Sequence, residues 1–279
     1  MKLVTFEQGG RGDRPGLIVD GNLLDLSAEG FRDAIAFMSA PASVQADVAK
    51  KKSSVPLDNV KLKAPIPAPP RIFGIGVNYA EHAKESQTET QKVPTVFIVL
   101  SSAVVGPEAE LILPKASAMV DYEAELAVVI GKSGYQIPAA KAMDYVFGYT
   151  IMNDVSARDV QRATTQWSLG KSFPTFAPLG PWVVSKDEVP DPHSLGISLT
   201  IGSEKLQDSN TSLLIFRIPA LIEYISGITP LQVGDVISTG TPAGVGMGRN
   251  PQRWLKPGEE MVVRIDKVGE LRNKLVAEK

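Results

Sequence analysis

Three acids alternate in the stretch VDYEAELAVVIGK, residues 120–132: Asp121, Glu123 and Glu125. On a β-strand, residues i and i+2 share a face. Glu123 and Glu125 would therefore project together, about 7 Å apart by strand rise. Carboxylates so close repel and raise each other's pKa unless a positive charge sits among them. A pair at that spacing can close on one hard cation. An isolated E-x-E more often marks a solvated acidic face, but the apolar LAVVIG that follows points to a buried strand. Asp154 ends the apolar run VFGYTIM and precedes a helical stretch that Ser156 could cap. It is either a cap or turn residue or a third carboxylate beside the pair. Three carboxylates with positions left open for water or substrate suit Mg²⁺ or Mn²⁺, with Ca²⁺ also compatible. Asp121, at the strand's entrance, is left out of this ligand set.

Three further segments could act on a substrate held there. In NYAEHAKES, His82 and Glu85 are three residues apart and share a helix face. A carboxylate-oriented histidine is a general base, although the same spacing also describes an ordinary surface pair. Lys171 leads into the proline-fixed loop of GKSFPTFAPLGP. The loop STGTPAGVG, which contains Thr241, is rich in backbone N–H and hydroxyl groups fit for an anionic oxygen. It lacks the ending of a phosphate loop, and no strand-linked G-x-G-x-x-G supports a dinucleotide site.

The elements that must position these groups are mainly strands. Residues 1–65 form a small α/β module: KLVTF, PGLIVDG and NLLDLS read as strands, AEGFRDAIAFMS and ASVQADVAKKK as helices. The stiff, proline-dense APIPAPP, residues 64–70, then separates a domain of residues 1–65 from one of 66–279. Beyond it the predicted strands are RIFGIGV, ELAVVIG, VFGYTIMND, LGPWVVS, ISLTIGS, DVISTG and EMVVRIDKVGEL. Helices are suggested only at YAEHAKES, SARDVQRAT and SLLIFRIPALIEYISG. Regular strand–helix alternation is missing, so the expected fold is α+β, mainly antiparallel β and barrel-like.

Composition narrows the chemistry. The chain has 279 residues, 43% of them hydrophobic, enough for a substantial core. Its 29 basic and 31 acidic residues give no field that would draw nucleic acid or an anionic membrane. With no cysteine and only His82 and His193, thiolate and three-histidine zinc sites are excluded, and any metal must be held mainly by oxygen. His193 is read as a surface-loop residue. Trp167, Trp182 and Trp254 are read as packing residues, with Trp167 close enough to Lys171 in sequence to line a pocket. The N-terminus has no secretory pattern and no run is long enough to span a membrane, so a cytoplasmic protein is expected.

Six segments in order resemble the fumarylacetoacetate hydrolase family: GIGVNYAEHAKE, SAVVGP, DYEAELAVVIGK, GYTIMNDVSARDVQ, QWSLGKSFPTFAPLGPWVV and GDVISTGTPAGVG. The resemblance covers about residues 65–279, and the leading module looks like the small first domain of many bacterial members. It implies a mixed β-sandwich roll, a homodimer, and Mg²⁺ or Mn²⁺ held at Glu123, Glu125 and Asp154. It places the base and its orienter at His82 and Glu85, the active-site lysine at Lys171, and substrate contacts at Thr241 and Gln161. One departure is Val99, where many members carry a lysine; without that charge a second anionic group is not expected there, and a less charged or more apolar substrate would fit a pocket edge of Ile98, Val99 and Leu100. The implied reaction is hydrolysis of a carbon–carbon bond in a β-diketo acid such as an acylpyruvate, by a water activated at His82. Oxaloacetate decarboxylation, keto–enol isomerisation and hydration are the alternatives at the same site. A non-catalytic binding protein would be expected to have lost one of these groups, and none is missing.

Overall fold

The computed structural model describes residues 1–53 and 55–279. Among them the strands form a 12-stranded sheet, a 5-stranded sheet and a two-residue ladder. The run AELAVVI becomes the strand Ala124–Ile130, buried at every position. Its two faces serve different cores. Leu126, Val128 and Ile130 enter a core shared with the smaller sheet and the helix Ile218–Ile228. Ala127 and Val129 enter a second core with Leu3, Leu17 and Phe37 from the leading segment. A strand apolar on both faces is the signature of such a central layer.

The large sheet runs in the order Val55–Pro56, Asn22–Asp25, Asp13–Val19, Lys2–Glu7, Ala177–Ser185, Val146–Asn153, Ala124–Ile130, Val236–Ser238, Ile72–Gly76, Thr95–Val99. Pairing is antiparallel except between Val236–Ser238 and Ile72–Gly76 and at the short Val104–Val105. The smaller sheet runs Glu204–Asn210, Gly196–Ile201, Glu260–Ile265, Gly269–Ala277, Glu110–Leu113, its last pair parallel. The result is a mixed, β-dominated α+β fold. The leading segment contributes its strands to the large sheet, Lys2 and Leu3 facing Val184 and Val183.

Several elements differ from expectation. EMVVRIDKVGEL is a hairpin, because a turn at Lys267 (φ 61°) and Gly269 separates two strands. The helix expected over residues 212–227 begins only at Ile218, where Pro219 occupies the first turn. The first helix of the leading segment is confined to Ala34–Met38, capped by the Asp33 carboxylate on the Ala36 N–H. Ser156 caps nothing: it pairs with Asp121 in the two-residue ladder, and its hydroxyl donates to the Asp154 carbonyl. His193 is not a free surface residue. Its Nε2 accepts the Ile218 N–H, one of the open donors at that helix start.

Candidate active site

The antiparallel register of Ala124–Ile130 with Val146–Asn153 places Ala124 opposite Asn153. One residue further out, the Asp154 N–H donates to the Glu123 carbonyl and the Glu123 N–H to the Asn153 side chain. Glu123 and Asp154 thus meet at a strand end, and Glu125 joins them by the two-residue period. One carboxylate oxygen from each of Glu123, Glu125 and Asp154 lies within 4.8 Å of the others, all three residues being buried.

Positive charge reaches the cluster from two side chains. Lys171 Nζ donates to Glu123 Oε2 and Asp154 Oδ2, both at 2.6 Å. Its turn, Ser168–Lys171, lies so close to the helix Arg158–Arg162 that a Cβ on Gly170 would sit 2.6 Å from the Gln161 nitrogen. Arg158, buried, spans two acids: Nε donates to Asp121 Oδ2 at 2.9 Å and a terminal nitrogen to Glu123 Oε1 at 2.6 Å. Its other terminal nitrogen donates to Gln161 Oε1 at 3.0 Å. Arg158 is missing from the sequence-derived site. Its signal was the acid-flanked SARDVQ motif, which does not say where a long side chain ends.

The electrostatics follow from burial and these partners. Burial works against Glu123 as an anion, but Lys171 and then Arg158 outweigh it and bring its pKa down to about 2. Burial raises Asp154 to about 6, with Glu123 adding to the rise against the pull of Lys171. Burial, then Asp154 and Glu123, push Glu125 well above the usual carboxylate range. Lys171 stays cationic: burial opposes its charge, but Asp154 and Glu123 hold its pKa above the ordinary value. Two cations therefore leave the carboxylates under-compensated. Asp154 Oδ1 is also buried without a hydrogen-bond partner. An oxygen-rich donor set with excess negative charge and an orphaned buried oxygen fits a divalent cation.

His82 lies on the helix Ala80–Glu85, its Nδ1 2.8 Å from Glu85 Oε1. Glu85 is fixed in turn by the Gly244 N–H, 2.9 Å from its other oxygen. Nε2 is then the nitrogen left for a substrate. The loop after Val236–Ser238 was expected to receive an external anion, yet several of its N–H groups bind the chain's own acids. Gly240 donates to Glu125, Gly244 to Glu85, and Gly246 and Met247 to Asp121. Asp121 is therefore a brace beside the carboxylate cluster. Thr241 donates its hydroxyl proton to the Ala124 carbonyl and accepts from Gln207.

A cavity of about 90 Å³ brings these groups together, lined among others by His82, Glu123, Glu125, Gln161, Lys171 and Thr241. Trp167 and Phe97 form part of the wall, their rings 5.6 Å apart. The glycines of FGIGV make room for them. A Cβ on Gly76 would lie 2.2 Å from Trp167, and one on Gly74 2.3 Å from Phe97. The expected pocket edge of Ile98, Val99 and Leu100 is not found. Val99 is buried in the second core, while Ile98 and Leu100 are exposed outside this cavity.

Comparison with known proteins shows the family and the fold. Residues 71–276 match the family described as fumarylacetoacetate (FAA) hydrolase C-terminal. The mitochondrial oxaloacetate tautomerase Fahd2a of Rattus norvegicus is 45% identical over 80% of this chain and 71% of its own. The Xenopus laevis mitochondrial oxaloacetate tautomerase fahd2 is 40% identical over 99% of this chain and 90% of its own. The crystal structure of maleylpyruvate hydrolase from Sphingobium sp. SYK-6, in complex with manganese (II) ion and pyruvate, superposes with a TM-score of 0.84 at 29% identity, covering 100% of both chains. The mitochondrial relatives overturn the expectation of a cytoplasmic location, which rested on the lack of a secretory pattern and of a membrane-spanning run. No helix among the described residues is long and apolar enough to cross a membrane.

Proposed function

This chain belongs to the fumarylacetoacetate hydrolase family, and on that premise we propose that it catalyses keto–enol tautomerisation of a 2-keto acid. The observation that carries the reading is one small cavity lined by Glu123 and Glu125 of the three-carboxylate cluster, by Lys171, and by His82, whose ring Glu85 holds. The tautomerase names of the mammalian and amphibian relatives favour this reaction over carbon–carbon hydrolysis. The Sphingobium relative, a hydrolase, keeps acylpyruvate cleavage as the second reading. A homodimer, and a site carried by residues 66–279, belong to the same proposal.

Glu123, Glu125 and Asp154 would hold the cation, Mg²⁺ or Mn²⁺. Bound there, it would polarise the 2-keto oxygen and favour negative charge on it. The reaction moves one proton between C3 and that oxygen, with no net uptake of water. His82 accepts the C3 proton at Nε2, since Glu85 holds Nδ1 and stabilises the ring once protonated. Lys171, held cationic, faces the developing oxyanion and never serves as the base. Gln161 and Thr241 line the cavity and position the acid. Burial of the cluster keeps bulk water from screening these charges.

The test follows loss of enol absorbance of oxaloacetate with Mn²⁺, alongside pyruvate release and acetylpyruvate cleavage. The wild type should accelerate ketonisation, and His82→Ala should lose about 10²–10⁴-fold while still binding Mn²⁺. Faster acetylpyruvate cleavage than tautomerisation would establish the second reading instead.

A further inference from the structure

The backbone that carries Glu123 and Glu125 is held from both sides, by different means. On one side the Glu123 N–H donates to the Asn153 side chain, and the Glu123 carbonyl accepts the Asp154 N–H. On the other side the strand Val236–Ser238 pairs with Ala127–Val129. Thr239 extends that contact to the Leu126 carbonyl through its N–H and its hydroxyl. The chain then turns into the glycine-rich loop, and Ala124, between the two glutamates, has no strand opposite it on that side. Its buried N–H and C=O must still be paired. Two side chains take them. The Ala124 N–H donates to Gln207 Oε1 at 2.9 Å, and the Thr241 hydroxyl donates to the Ala124 carbonyl at 2.9 Å. Gln207 Nε2 closes the circuit, donating to Thr241 Oγ1 at 2.7 Å and to the Pro242 carbonyl at 2.8 Å. Ala124, Gln207 and Thr241 are all buried, and Gln207 comes from the strand Glu204–Asn210 of the smaller sheet.

We infer that Gln207 is a positioning residue for the carboxylate cluster: with Thr241 it closes a ring of hydrogen bonds that fixes the backbone between Glu123 and Glu125, and so sets those two carboxylates relative to each other. The inference rests on the proposed metal-holding role of these acids. Two ligands on one strand keep their relative direction only as well as the peptide units between them are fixed. The ring has one sense. Gln207 meets a donor with its oxygen and two acceptors with its nitrogen. A flipped amide or an ionised glutamate would set an oxygen against the Pro242 carbonyl, so neither reproduces it. The Thr241 hydroxyl proton is committed to the Ala124 carbonyl. Loss of that hydroxyl therefore acts first on the carboxylates, although Thr241 lines the cavity. Each member of the ring leaves buried partners unpaired when it is removed, which makes the ring a cooperative unit.

The experiment measures metal binding, so that it does not depend on turnover. Calorimetric Mn²⁺ titration of the full chain, run well below each variant's thermal transition, uses Gln207→Met, Thr241→Val and the double variant. These replacements keep side-chain size and remove the hydrogen bonds. Each single variant should lose about 10–100-fold in Mn²⁺ affinity, the range for groups that orient metal ligands. The double variant should lose little more than the worse single one, because opening the ring once removes its effect. Thr241→Ser, which keeps the hydroxyl, should recover most of the affinity that Thr241→Val loses. Losses that simply add, or no loss in either single variant, would overturn the ring. If Gln207→Met does not fold, Thr241→Val and Thr241→Ser decide: recovery in the serine variant supports the ring, and equal affinity in the two overturns it. A wild type that binds no Mn²⁺ would overturn the metal assignment and the inference with it. Wild-type Mn²⁺ binding without tautomerisation of oxaloacetate would remove only the proposed reaction, and the variants would still decide the ring.

Discussion

Asp121, Glu123 and Glu125 differ by only two positions each, yet their surroundings give them separate tasks. Asp121 accepts from Arg158 and from the Gly246 and Met247 N–H groups, and so braces the site. Glu123 is held ionised by Lys171 and Arg158. Burial and the neighbouring acids push Glu125 and Asp154 up instead, with Asp154 at about 6. Protons therefore compete with a cation for these two oxygens. Mn²⁺ affinity should rise as pH climbs through about 6, where Asp154 loses its proton, with proton release on binding, which calorimetry in buffers of different ionisation enthalpy measures. The metal-free chain should behave oppositely in stability. The folded pKa of Asp154 lies above the unfolded value of about 3.9, so the folded state keeps the extra proton. Stability from this group is present at low pH and is lost as pH rises through about 6. A flat Mn²⁺ affinity across a pH of about 6 would remove Asp154 from the ligand set.

The loop from Gly240 to Gly248 is the element on which the site depends, although it supplies few reacting groups. It fixes Glu125, Glu85 and Asp121 through backbone N–H donors, and so ties the carboxylate cluster to the histidine pair. Gly244 has φ +103°, and a Cβ there would lie 2.2 Å from the Leu206 carbonyl oxygen. Gly244→Ala should cost about 1–3 kcal/mol of stability from backbone strain, with more if the clash is not relieved. Because the Gly244 N–H holds Glu85, the same variant should lower kcat by more than it weakens Mn²⁺ binding. Denaturant unfolding and Mn²⁺ titration of one preparation check both. Backbone donors of this kind have no sequence signature beyond a glycine-rich loop. STGTPAGVG therefore read as a place for a foreign anion, whereas several of its N–H groups bind the chain's own acids.

At the scale of the molecule, the leading segment is built into the structure that carries the site. Leu17 is fully buried in the core that also holds Val129 and Val183, and Val129 lies on the Glu125 strand. Leu17→Ala should cost about 2–5 kcal/mol and lower the single thermal transition of the whole chain. Added Mn²⁺ should shift that same transition rather than a separate one. Two resolved transitions, one insensitive to Mn²⁺, would show that residues 1–65 unfold independently.

The sequence by itself determined the strand character of AELAVVI, the two-residue spacing of Glu123 and Glu125, and the helical pairing of His82 with Glu85. These are local consequences of backbone period, which side-chain order records directly. Tertiary structure decided which distant groups meet. Antiparallel register brought Asp154 to Glu123, a glycine-packed turn delivered Lys171, and Arg158 became the positive group between Asp121 and Glu123. It also turned Val99 into the core. Such outcomes depend on how long side chains cross between elements far apart in the chain, and periodicity along the chain carries no record of that.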